Sequence, residues 1–310
     1  MEKLVVSSSP HIHSGASTQR IMLDVVIALL PATVAAVVLF GLKALLMIAV
    51  SVATAVISEF VFNLVVKKKQ TVGDLSAVIT GLLLALNLPT TVTVWQIIVG
   101  AVFAIVVVKC LFGGIGCNFA NPALTARIMM LIAFGASIGG GANPTIVDMN
   151  AGATPLAVMD GSEGTLPSLL DMLLGLRGGA IGETCAIALI LGGIYLLARR
   201  VISWHTPVIY VGTVFVLSLI VKQDLNMALY QVLGGGLMIG AIFMATDYST
   251  SPTNKLGKSV FALGCGLLTV LIRFLGDSPE GASYAILMMN ILSPYIEKLC
   301  ARKPFGKVGK

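Results

Sequence analysis

Apolar residues run along the chain in ten blocks, at 21–40, 44–66, 74–88, 92–111, 122–137, 180–198, 207–221, 227–245, 259–275 and 282–299. Polar, charged or small residues gather between them. A helix that crosses a bilayer needs ~20 mostly apolar residues, so most of these blocks are long enough to span. The third and fifth are short and bounded by Gly or Pro, the pattern that broken helices around a central site leave in a sequence. The predicted fold is therefore an all-α polytopic membrane protein with about ten transmembrane helices.

One long connection, 138–179, separates five blocks from five. An odd number of crossings before that loop turns the second half over, so the two sets are expected as inverted five-helix repeats. Asn118-x-x-x-Pro122 opens the fifth block and Asn290-x-x-x-Pro294 lies in the tenth, an internal echo that chance recurrence at helix ends explains equally well. The expected division is an N-terminal segment at 1–20, membrane halves at 21–137 and 180–299 around the loop at 138–179, and a basic tail at 300–310.

Composition agrees with lipid as the main solvent: 57% of residues are apolar, 11% are charged, and the mean hydropathy is +0.97. The first block follows a polar segment and lacks the layout of a cleavable signal, so it is expected as a retained span. Charge sets the orientation, because cytoplasmic loops keep Lys and Arg. With the N-terminus inside, fifteen basic residues fall in the cytoplasm; Lys43, Arg177, Lys222 and Arg273 fall outside, and Arg127 lies within the fifth block. Both termini are then cytoplasmic and the 138–179 loop is extracytoplasmic. The net charge of +6 is scattered without interleaved aromatics, which argues against nucleic acid as a partner. Lys67, Lys68 and Lys69 suit anionic lipid headgroups. Five cysteines in or beside apolar blocks show no metal-ligand spacing.

The external loop holds Asp148-Met149-Asn150-Ala151-Gly152-Ala153-Thr154-Pro155. Asp, Asn, Gly and Pro are also ordinary turn residues. The run resembles the flavinylation motif Asp-x-x-(Ser/Thr)-Gly-Ala-Thr, at which a flavin transferase moves FMN from FAD onto the threonine hydroxyl as a phosphoester. Gly152 and Ala153 are small enough to let the backbone enter another enzyme, Thr154 supplies the nucleophile, and Asp148 is placed to help position or activate it. Ala151 stands where the motif has Ser or Thr, which removes a hydroxyl and leaves the nucleophile. Ser14-Gly15-Ala16-Ser17 looks similar but has no Asp at the matching position and falls on the cytoplasmic side.

The N-terminal stretches Ser9-Pro10-His11-Ile12-His13 and Thr18-Gln19-Arg20-Ile21-Met22-Leu23-Asp24-Val25 carry a wider likeness. So do Phe112-Gly113-Gly114-Ile115-Gly116-Cys117-Asn118-Phe119-Ala120-Asn121-Pro122-Ala123 and the Thr154 loop. Together they resemble the NqrB/RnfD family, and within it the D subunits of the Rnf ion-translocating ferredoxin:NAD oxidoreductases. The resemblance covers essentially the whole chain. It implies a redox subunit in a bacterial or archaeal cell membrane, with FMN on Thr154, that takes part in moving Na⁺ or H⁺. NAD and ferredoxin would be handled by other subunits, among them iron–sulfur subunits and a second flavinylated one. The chain itself shows no Gly-x-Gly-x-x-Gly turn and no cysteine cluster for a cubane centre.

Ionisable groups inside a membrane segment are functional candidates, because placing them there is costly. Asp24, Glu59, Glu183 and Asp247 are ion-path candidates on that ground, although Asp24 and Asp247 lie near the interface, where hydration also accounts for them. Asn118, Asn121 and Arg127 are expected to help form a second pocket, for a non-covalent flavin such as riboflavin or for a quinone; Asn118 as a helix cap is the other reading. The hydroxyl-rich run 246–252 suits either Na⁺ ligation or a plain polar loop. A cofactor-free inverted-repeat transporter or channel, with the long loop as a lid, is the rival function.

Overall fold

In a computed structural model the described residues are 17–139, 142, 144–145, 154–159, 161–162, 166–276 and 280–301, and among them the chain is all helical apart from one isolated bridge between Ala142 and Gly179. Asp148, Gly152 and Ala153 lie outside the described residues, as do His11 and His13.

The helices follow the apolar blocks. They are α1 (Thr18–Phe40), α2 (Leu42–Val65), α3 (Ser76–Leu86), α4 (Val94–Val102, continued by a π turn over Phe103–Cys110), α5 (Pro122–Ala133) and α6 (Gly135–Ile138). Two short helices, α7 (Pro155–Met159) and α8 (Leu169–Leu174), stand in the long connection. The second half holds α9 (Ala186–Ala198), α10 (His205–Lys222), α11 (Leu225–Leu233), α12 (Leu237–Ile239, continued by a π turn over Gly240–Met244), α13 (Lys255–Leu275) and α14 (Gly281–Leu299).

Local chemistry explains the boundaries. Ser17 caps α1 by accepting from the Arg20 N–H at 3.3 Å, and Asn121 caps α5 by accepting from the N–H groups of Ala123 and Leu124 at 3.1 and 3.2 Å, with Pro122 at the first helical position. Ser168 and Asp171 form a reciprocal capping box on α8. Pro89 stands just past Asn87, where α3 ends.

Among the described residues four helices, α1, α2, α10 and α13, are long and apolar enough to cross a membrane, and the bent pair α11–α12, taken as one span, makes a fifth. The pattern of exposure fits lipid. Val34 and Leu64 are each 60% exposed on outward faces, while Glu59 and Arg177 are each 1% exposed. Apolar outside and ionisable inside is the reverse of a water-soluble domain.

Within the first half α2 packs on α3 and α4, and α5 on α3 and α4; within the second, α10 packs on α11 and α13, and α14 on α13. Across the halves α1 packs on α9 and α5 on α14. Small residues allow these approaches, since van der Waals contact holds helices together in lipid. A Cβ added to Gly192 of α9 would stand 2.1 Å from the Ala28 carbonyl oxygen of α1, so the two backbones meet there directly.

The structure differs from the sequence reading in two elements. The eighth block is not continuous: α11 and α12 meet at 63° across Gly234-Gly235-Gly236, with Gly235 at φ +61°. Three glycines in succession give up helix propensity, and Gly235 takes a backbone conformation that side chains disfavour. The sixth block starts its helix at Ala186 rather than 180, because the Ile181 and Gly182 N–H groups donate to the Leu88 and Leu86 carbonyls at 3.1 and 2.8 Å. Residues 179–184 thus act as a strap across the end of α3.

Candidate functional site

A cavity of about 580 Å³ lies among the start of α1, the face of α3, the segment before α5, the 246–253 turn and the middle of α14. Its wall mixes apolar surface, such as Ile79, Leu83 and Phe243, with polar groups from several elements. Asn118, Asn121 and Asp247 all line it, so three of the residues singled out in the sequence share one space. The Asn118 Oδ1 atom is buried and has no hydrogen-bond partner. Asn118 is therefore not the cap of α5; Asn121, three residues on, is.

Asn290 of α14 lines the same cavity. With its amide oriented to satisfy both neighbours, it donates to the Thr250 carbonyl at 3.3 Å and accepts from the Asn121 N–H at 3.2 Å. The two Asn-x-x-x-Pro segments of the sequence thus meet in space. Asp247 accepts from the Ser249 N–H at 3.3 Å, from the Ser249 hydroxyl at 3.2 Å and from the Thr250 hydroxyl at 3.3 Å. Burial pushes its carboxyl above the ordinary aspartate range, against the pull of those hydrogen bonds. Both of its oxygens are engaged by its own turn, as in a polar loop. Among the described residues no three His, Cys, Asp or Glu side chains gather as metal ligands.

Lys109 also reaches the cavity, a position the sequence reading did not single out. Its sequence neighbours mark it as a cytoplasmic loop lysine, yet it is 2% exposed in the π turn that follows α4. Its Nζ donates to Glu59 Oε2 at 2.9 Å and to the Ser76 hydroxyl, while Thr71 donates to Glu59 Oε1 at 2.6 Å. A buried ammonium needs a carboxylate of opposite charge, and Glu59 in the second block was the available signal.

Arg127 stands apart from the cavity. Six positions beyond Asn121, it is about 9 Å further along the helix axis at 1.5 Å per residue. There it pairs with Glu280 and donates to the Ser283 hydroxyl. It does not join Asn118 and Asn121 in one pocket. Arg177 and Arg273, counted in the sequence on the extracytoplasmic side, are 1% and 4% exposed. Arg177 donates to the carbonyls of Leu233 (2.7 Å), Glu183 (2.9 Å) and Thr184 (3.4 Å); Arg273 donates to the carbonyls of Gln231 and Gly234. Two guanidiniums therefore satisfy the carbonyl end of α11 at its break, where a helix favours positive charge. Asp24 accepts from Tyr195 at 3.0 Å and Arg199 at 3.3 Å at the opposite end of α9.

Thr154 begins α7. Its hydroxyl oxygen accepts from the Ala157 N–H at 3.3 Å, and the residue is 8% exposed. The following turn lays Leu156 over Gly234 and Gly235, so Thr154 is seated beside the break in the α11–α12 pair.

The model of the NQR2, RnfD, RnfE family matches residues 5–306. The chain belongs to the NQR2, RnfD, RnfE family. Its relatives are similar over nearly their whole length. It is 46% identical to the D subunit of the Na(+)-translocating ferredoxin:NAD(+) oxidoreductase complex of Acetobacterium woodii, over 98% of this chain and 95% of that one. It is 37% identical to the D subunit of the Proton-translocating ferredoxin:NAD(+) oxidoreductase complex of Clostridium ljungdahlii, over 97% and 96%. It is 34% identical to the D subunit of the Ion-translocating oxidoreductase complex of Methanosarcina acetivorans, over 99% of both. The match to the NQR2, RnfD, RnfE family thus spans both sets of helices and the connection between them.

Proposed function

We propose that this chain is the membrane flavoprotein subunit of an ion-translocating ferredoxin:NAD oxidoreductase complex, with FMN joined through its phosphate to Thr154. The observation that carries the reading is end-to-end similarity to D subunits of such complexes. FMN supplies one- and two-electron redox chemistry when bound. The chain's own part is to present and then seat the attachment point. The Thr154 hydroxyl oxygen displaces AMP from FAD at the FMN phosphorus, in the active site of a flavin transferase. A hydroxyl on a residue only 8% exposed is reachable by another enzyme before α7 docks on α11, so transfer precedes packing. Asp148, Gly152 and Ala153 complete the motif the transferase reads.

The cavity suits a second, non-covalent flavin such as riboflavin, or a quinone. It offers apolar walls with a few polar groups, and the buried Asn118 Oδ1 lacks a donor that a flavin N–H or a quinol hydroxyl would provide. Ion coupling is assigned to the buried groups Glu59 and Glu183 and the half-buried Asp247, with Asp24 at the cytoplasmic end. Whether the ion is Na⁺ or H⁺ does not carry over, since the names of two relatives differ on it.

The ten apolar segments are proposed as two inverted repeats around an extracytoplasmic loop, with both termini cytoplasmic. Helix pairing supports this: α2 with α3 and α4 is matched by α10 with the α11–α12 pair and α13, and α4 with α5 by α13 with α14. The contacts between halves, α1 with α9 and α5 with α14, join corresponding members.

In the test, the chain is co-expressed with a flavin transferase, denatured and run on a gel. A band fluorescent under ultraviolet light is expected for the wild type and a dark band for Thr154→Val. A dark wild-type band, or unchanged fluorescence in the variant, overturns the reading.

A further inference from the structure

At the break in the α11–α12 pair, three polar atoms from three separate elements face one point. A Cβ placed on Gly236 would lie 3.4 Å from Arg127 Nη1, 3.6 Å from Glu183 Oε2 and 3.7 Å from Asn87 Oδ1. Glu183 is 2% exposed and comes from the strap at 179–184; Asn87 caps the end of α3, and Arg127 lies on α5. Glu183 Oε1 accepts from the Ala180 N–H at 3.2 Å, while Oε2 has no hydrogen-bond partner. Two guanidiniums are close by, yet neither donates to Oε2: Arg127 turns to Glu280 and Ser283 and Arg177 to three backbone carbonyls, with Arg127 Nε and Arg177 Nη1 left without partners. A buried carboxylate anion would gather those donors. The arrangement is that of a neutral carboxylic acid.

We propose that Glu183 is a single-proton site at the helix break, with Arg127 as the cation that answers when the proton leaves. This deepens the ion-coupling part of the proposed function and rests on that reading. Protonated, Glu183 has Asn87 Oδ1 as an acceptor bordering the same space; the Asn87 amide nitrogen is already engaged with the Leu83 carbonyl at 2.7 Å. When the proton departs, a bare charge is left in an enclosed site. Arg127 Nη1 borders that space and moves toward Glu183, releasing Glu280. Glu280, with 23% of its side chain exposed, is hydrated in exchange, which Glu183 at 2% cannot be. The charged groups facing Glu183 are Arg127 from α5, Arg177 from its own segment and Glu280 at the start of α14; Arg273 of α13 stands one glycine further along. The site would not hold Na⁺ directly. A hard cation takes about six oxygen ligands, and here a guanidinium nitrogen occupies one side of the space.

Two variants test this in the assembled complex reconstituted in liposomes. Glu183→Gln cannot lose a proton. Gly236→Ala keeps every polar side chain but puts a methyl where the guanidinium must pass; φ −75° and contacts no closer than 3.4 Å mean the alanine fits. Both are expected to lose ion accumulation in the vesicles, whichever ion is assayed, and Gly236→Ala to lose it while electron transfer between ferredoxin and NAD continues. Infrared difference spectra over a pH titration are expected to show a carboxylic-acid C=O band that Glu183→Gln lacks. Should that variant fail to assemble, Glu183→Asp shifts the band. Wild-type accumulation by Gly236→Ala, or no such band at any pH, overturns the proposal. A wild-type complex that transfers electrons without moving ions would instead sink the proposed function, and the infrared band would still decide the proton site.

Discussion

Lys109 and Glu59 hold each other where neither charge would be stable alone, at 2% and 1% exposure. Removing one partner leaves the other buried and uncompensated, so Lys109→Met is expected to lower stability by about 3–5 kcal/mol. Thermal unfolding in detergent measures it. The double variant Lys109→Met with Glu59→Leu should recover most of the loss, because it removes both desolvation penalties; an equally unstable double variant would show that the cost is one of packing. The same pair marks how far single residues could be read from sequence. Asn118, Asn121 and Asp247 could be singled out in the sequence, since amides and carboxylates beside apolar blocks are costly unless used, and the fold brings all three to the wall of one cavity. Lys109 and Arg177 were not, because a basic residue at the end of an apolar run looks the same whether it is hydrated or paired inward.

At the scale of elements, the break in α11–α12 is held by side chains from outside it. Arg177 reaches the Leu233 carbonyl from just before the strap, and Arg273 reaches Gln231 and Gly234 from α13. Arg177→Met removes the charged donor to three carbonyls. At ~1.5–3 kcal/mol for a hydrogen bond to a charged group, the break should loosen well before the rest of the molecule unfolds. Hydrogen exchange would show this as lost protection confined to α11 and the strap; uniform loss would refute it. Helix existence was legible throughout, since apolar blocks coincide with helices. The bend was not, because Gly234-Gly235-Gly236 sits inside a run that stays apolar on both sides. Nor was the strap: its backbone bonds to Leu86 and Leu88 join segments far apart in sequence, and no local pattern records that.

For the whole molecule, the charge asymmetry changes once burial is known. Without the buried Lys109, Arg177 and Arg273, fourteen basic residues remain on the proposed cytoplasmic side against Lys43 and Lys222 outside, a stronger bias than the raw count. In an otherwise cysteine-free chain, Lys222→Cys should react with an impermeant maleimide added to intact cells. Lys258→Cys should react only after permeabilisation. Labelling of Lys258→Cys in intact cells would reverse the orientation. The long connection between the two sets of helices was visible in the sequence, whereas the partners chosen across it were not.

One of those partnerships has a consequence for how the protein is made. The Ala28 carbonyl of α1 rests on Gly192 of α9, which leaves the ribosome long after α1 has entered the membrane. At about 5–20 residues per second, the first helix waits roughly ten to thirty seconds for the surface it fits. During that interval its small-residue face has only lipid or an insertion factor to lie against. Quality control that senses unpaired helices would therefore act on this protein through its first span, and Gly192→Leu should shorten the chain's lifetime in the cell by stranding that span.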